Sequence, residues 1–203
     1  MKPTLIFSPI MFGAAMGKRK TITRRVALVS TQNQVDMLAE AISKDTELTF
    51  WNTAMKAPYG PDGSQKPMVT VWAVSAEYNN LRPTHLPTNT PIWFDDGTEK
   101  PAGYGKKRQA RFFPKSLYHR APQVMIESTR AQMLCSITHE EALKEGIFQS
   151  PACFYRYEPL GRALPTPVAA FFALWDSINA TRNQGLYTSA NNPVVWRIQF
   201  QLL

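Results

Sequence analysis

Sixteen prolines set against ten glycines limit what this chain can build. Each proline fixes φ and removes a backbone donor, so helices and central strands must fit between them. The chain therefore reads as many stiff loops around a compact core smaller than 203 residues would suggest. Hydrophobic residues at 44% and charged residues at 19% are ordinary for a globular protein and argue against wholesale disorder. One domain covering 1–203 accommodates that composition.

Thr4 to Phe7 reads as a short strand that runs through Ser8-Pro9 into a helix of about two turns, ending at Gly17. Gln32 to Ser43 carries Val35, Leu38, Ala39 and Ile42 at helical spacing. Pro58-Tyr59-Gly60 opens a turn cluster, and Met68 to Val74 after it reads as one strand. Trp93 and Phe94 end another strand against Asp95-Asp96-Gly97, and the polar stretch from Thr98 to Gln109 reads as a long mobile loop. Val124 to Met133 has strand character. Thr138 with Glu141 three residues on is a capping box for a short helix ending at Gly146. Thr166-Pro167 opens the clearest helix, where Val168, Phe171, Phe172, Trp175 and Ile178 form an apolar stripe that reads as core. Val194 to Phe200 closes the chain as a strand. This order suggests a small curled sheet or barrel flanked by helices.

Lys and Arg outnumber Asp and Glu by 23 to 15, a formal charge of +8 that favours polyanionic partners. The excess clusters. Lys18, Arg19, Lys20, Arg24 and Arg25 form one group, and Lys106, Lys107, Arg108, Arg111 and Lys115 form another. If both line one cleft, nucleic-acid affinity should fall steeply with salt, and neutralising Arg24 and Arg25 should flatten the slope. Those two arginines read as phosphate contacts or as rim ion pairs, with phosphate contacts preferred. No secretory signal is evident in the short stretch from Leu5 to Met16, which Pro9 and Gly13 interrupt, and no run is long enough to span a bilayer. Cytoplasm is the expected compartment, with Cys135 and Cys153 as free thiols.

Walker, GxGxxG, GxSxG and HExxH signatures are all absent, and His85, His119, His139 and the two cysteines lack zinc-site spacing. Neither a metal nor a cofactor is expected. What remains is GKRKTITRR, which packs five cations around two threonines in nine residues. A lysine of depressed pKa can act as base toward a threonine hydroxyl, and a carboxylate can orient it or carry a proton. By spacing alone, a solvated basic strand explains the segment better. Glu145 stands near a helix C-terminus, where the macrodipole disfavours a carboxylate, and that hints at another role.

The ordered segments resemble a known family. GKRKTITRR, Pro58-Tyr59-Gly60, VWAVS from Val71, LCSITHEEALKEGI from Leu134, ALWDSIN from Ala173 and NPVVWRIQF from Asn192 are similar to successive motifs of the ASCH domain, a branch of the PUA-like superfamily. The longer phage and prophage members are most alike. Stretches near 32–56, 98–109 and 150–165 have no counterpart and read as insertions. Val74-Ser75 stands where relatives carry Arg-Glu, and FPKSLYHR replaces their MPRWASR. Glu77 would share a strand face with Ser75.

The resemblance implies an α+β fold: a PUA-like β-barrel with flanking helices and long loop insertions. Small bacterial proteins of the family are amidohydrolases that deacylate N4-acetylcytidine with a lysine, a threonine and a glutamate. Laid on this chain, these fall on Lys20 as activator, Thr23 as nucleophile and Glu145 as proton shuttle. Lys18, Arg19, Arg24, Arg25, Lys106, Lys107 and Arg108 are the expected nucleic-acid contacts. RNA or a modified nucleoside is the expected partner, with DNA also considered. A non-catalytic nucleic-acid-binding module is the rival reading. A third is a phage-encoded protein that binds a host defence factor in the host cytoplasm.

Overall fold

The computed structural model describes residues 4–27, 59–150, 155–156 and 163–203. The helix expected over Gln32–Ser43, Cys153, the insertion at 32–56 and most of that at 150–165 lie outside the described residues. In chain order the main elements are β1 (Leu5–Ile6), α1 (Pro9–Met16), β2 (Ile22–Val26), β3 (Gln65–Val69), β4 (Trp72–Val74), β5 (Ile92–Phe94) and β6 (Gln123–Met133). There follow α2 (His139–Lys144), β7 (Phe148–Gln149), β8 (Tyr155–Arg156), α3 (Pro167–Asn179) and β9 (Val194–Leu202).

Alternation of side chains builds the sheet around its two longest strands. In β9, Trp196, Ile198 and Phe200 face the core while Arg197, Gln199 and Gln201 face outward. β6 buries Val124 and Ile126, then shifts phase and buries Thr129 and Ala131. The pairing with β9 shows why: its register slips between Ile126 and Ser128, so Glu127 is the extra residue of a bulge. A bulge bends its strand and sharpens the twist while keeping both halves of β6 on the core face. The five-stranded sheet runs β1-β3-β6-β9-β2, with β1 and β3 parallel and the other pairs antiparallel.

The fold is mixed α+β, but the expected closed barrel is not formed among the described residues. No ladder joins the edge strands β1 and β2, so the sheet stays open along that seam. The strand expected over Met68–Val74 is in fact two. The chain breaks at Thr70-Val71, where the Val71 carbonyl accepts from Asp95 N at 2.8 Å and β4 turns away to pair with β5. Trp72, Phe113 and Leu117 centre a second apolar cluster there. The 98–109 segment is no free loop, because Arg108 exchanges two backbone hydrogen bonds with Trp72, at 2.7 and 3.0 Å. Glu77 lies in a turn of 3-10 helix rather than on a strand face, and Ser75 Oγ donates to its carboxylate at 3.3 Å.

Local chemistry fixes the elements that frame the seam. Pro9 starts α1, and Gly13 lets the helix sit against Asp96, whose carbonyl would be 2.4 Å from any added Cβ. Gly17 caps α1 as expected, yet the left-handed residue is Lys18, at φ 57°. α2 carries the expected capping box, with Thr138 Oγ1 accepting from Glu141 N and the Glu141 carboxylate accepting from Thr138 N. On α3, Thr166 caps and Pro167 leads. Its buried face is Ala170, Phe171, Leu174 and Trp175, turned from the expected stripe, so Phe172 is half-buried and Ile178 is 58% exposed.

Candidate functional site

A cavity of about 380 Å³ opens along the seam between β1 and β2 and is roofed by α3. Its apolar walls are Phe7, Met11, Phe171, Leu174, Trp175 and Ile178, and its polar groups are concentrated on β2 and the end of α2. Both volume and character suit one small molecule with a few orienting contacts.

Three residues expected to act together meet here. Lys20 Nζ lies 2.7 Å from a Glu145 carboxylate oxygen and donates to the Glu145 carbonyl at 2.8 Å, across 125 positions of sequence. Glu145 is the C-cap of α2, and Gly146 after it takes φ 95°, which turns the chain away and leaves the carboxylate facing inward. The placement against the macrodipole is thus compensated: the Lys20 ammonium satisfies both the helix-end carbonyl and the carboxylate. Thr23, on the adjoining strand, is 4% exposed and lines the same cavity, and no described residue hydrogen-bonds its hydroxyl. Burial pushes the Lys20 pKa down, against the pull of Glu145, which raises it.

Arg24 lies behind this pair. Its side chain is fully buried, and it donates to Glu145 at 3.0 Å and to Glu141 at 2.6 Å. With its amide oxygen turned toward Arg24, Gln132 accepts from Nε and the second amino nitrogen at 3.0 and 2.8 Å. Arg197 then meets the other Glu141 oxygen at 2.6 Å. Every edge of the Arg24 guanidinium is occupied, so it is an internal ion-pair member and not the phosphate contact expected of it. Burial works to raise the Glu141 pKa, but Arg24 and Arg197 outweigh it and hold the carboxyl below its usual range.

The other expected cations do not share one cleft. Arg25 lines the cavity and bridges the seam, its guanidinium donating to the Ile6 carbonyl of β1. Lys18 and Arg19 are exposed outside the cavity, Lys18 bordering a separate hollow with Glu127 and Lys144. Lys106, Lys107 and Arg108 do not line it either. Lys107 is bound to Asp95 at 2.6 Å and stands over Trp93. Arg108 donates to the Tyr78 and Asn79 carbonyls and stacks on Trp72, roles that fasten the second cluster. Lys106 is exposed. Among the described residues no group of three or more His, Cys, Asp or Glu is placed to hold a metal ion, and no helix is long and apolar enough to cross a membrane.

Sequence reasoning missed Arg182, which lines the cavity mouth, and the connecting roles of Glu141, Gln132 and Arg197. Glu141 read as the capping-box residue of α2, and it is that as well. An available signal was Asn179, three positions before Arg182 and facing it across one helical turn. No family model, curated protein or solved structure matches the chain.

Proposed function

We propose that this protein is a PUA-like, ASCH-type amidohydrolase that removes the N4-acyl group of a modified cytidine bound in the seam cavity. The observation that carries the reading is the buried Lys20–Glu145 contact beside a cavity-lining threonine whose hydroxyl no described residue engages. In the proposed reaction Lys20 first passes its ammonium proton to Glu145, and the resulting amine takes the Thr23 hydroxyl proton as that oxygen attacks the amide carbon. The proton returns through the Lys20–Glu145 pair to the departing N4, which leaves as the free amine. Water then cleaves the threonyl ester, so that one amide and one water yield one carboxylic acid and one amine. Arg25 and Arg182 line the cavity with no carboxylate partner among the described residues, and that positive field favours the developing oxyanion. The apolar walls suit the acyl group.

The test is acetate release from N4-acetylcytidine by the purified protein. Lys20→Ala, Thr23→Ala and Glu145→Gln should each lower turnover by at least about a hundredfold. Lys20→Met serves as the fold control, because Glu145 keeps Arg24 as its partner. Absence of turnover across a panel of acylated nucleosides rejects the enzyme reading and leaves the binding module. Turnover that survives Lys20→Ala rejects the assigned roles.

A further inference from the structure

Two cations at the cavity have no acidic partner among the described residues. Lys20 and Arg24 are met by Glu145 and Glu141, whereas no carboxylate among the described residues pairs with Arg25 or Arg182. Arg25 rests over the Phe7 ring at 5.5 Å with its Nε buried and unpartnered. Arg182 donates to Asn179 Oδ1 at 2.7 Å and lies over the Tyr187 ring at 5.9 Å. Asn179 is itself 4% exposed, and its amide nitrogen donates to the Trp175 carbonyl at 3.0 Å, which fixes the oxygen toward Arg182. Asn183 and Gln184 follow with φ of 46° and 54°, a left-handed conformation that non-glycine residues adopt only at a cost.

An exposed arginine ordinarily samples many rotamers. This one is held by a buried amide, a ring and a strained turn, so much of its ordering entropy is lost before a ligand arrives. Positioned cations without counter-charge, on the wall of an apolar cavity, complement an anion.

We propose that the ligand is a nucleotide rather than a free nucleoside, with a phosphate ester seated against Arg182 and Arg25 and the base directed toward Thr23. This rests on the nucleoside reading above and narrows its substrate class. The phosphate belongs either to a free 5′-monophosphate or to an RNA strand.

Calorimetric titration of the full chain with N4-acetylcytidine, its 5′-monophosphate and a short single-stranded RNA containing that nucleotide tests the proposal. The monophosphate should bind at least about tenfold more tightly than the nucleoside at low salt, as charge-assisted hydrogen bonds imply. That ratio should shrink as salt rises and should approach one in Arg182→Gln and Arg25→Gln. Should Arg25→Gln fail to fold, the exposed Arg182 carries the comparison alone. RNA binding more tightly than the monophosphate identifies a strand as the source, and equal affinity of these two identifies the free nucleotide. Equal affinity for nucleoside and monophosphate overturns the proposal, as does a phosphate preference untouched by Arg182→Gln. Preferential binding of phosphorylated ligands without acetate release overturns deacylation alone. If none of the three binds, both readings fall.

Discussion

Arg24 and Arg25 are neighbours in sequence with opposite surroundings. Arg24 is enclosed by two carboxylates and an amide, so Arg24→Ala leaves Glu145 with Lys20 alone and Glu141 with Arg197 alone and should cost about 3 kcal/mol in chemical denaturation. Arg25→Ala removes a hydrogen bond to Ile6 and should cost about 1 kcal/mol. The salt-slope test expected of the pair therefore applies to Arg25 and not to Arg24. Lys20 gives the pH prediction. Burial has lowered its pKa and Glu145 opposes that, so Glu145→Gln should move the Lys20 titration to still lower pH, read by NMR of labelled lysine. An upward shift would remove Glu145 as the principal partner. The unfolded chain holds this proton more tightly, so the Lys20 contribution to stability should grow as pH rises from its folded value toward the ordinary lysine range.

At the level of elements, α3 tests the core. Trp175 is 5% exposed and donates to the Tyr187 carbonyl, so Trp175→Ala should cost about 3–5 kcal/mol in thermal melts. Ile178→Ala, at the cavity mouth, should cost under about 0.5 kcal/mol. Gly13→Ala should cost about 1–3 kcal/mol, because its methyl would meet backbone and not a yielding side chain. Short-range rules made the α2 capping box, the α3 N-terminus and the β9 alternation readable. The break between β3 and β4 was hidden, since Met68 to Val74 is mainly apolar and what parts them is a bond from distant Asp95. Lys20, Thr23 and Glu145 came from motif likeness, while spacing favoured an inert strand. The partners of Arg24 lie 117 and 121 positions away, and no local pattern encodes such a pairing.

Across the whole molecule, the chain Lys20–Glu145–Arg24–Glu141–Arg197 ties β2 and β9 to α2. Glu141 is held below its usual pKa, so its stabilisation is complete above the ordinary carboxylate range and is lost as pH falls through the folded value. The melting temperature should drop more steeply with acid in the native chain than in Glu141→Gln. Equal slopes would mean that other carboxylates govern acid unfolding. The seam has a further consequence. Had β1 and β2 met through backbone hydrogen bonds, the gap between them would be set by peptide geometry. Here side chains such as Arg25 and Phe7 span it instead, so the width of the opening is written in exchangeable residues. A chain of this design can be retuned to bulkier or slimmer guests by point substitution along two strand edges, with the rest of the sheet untouched.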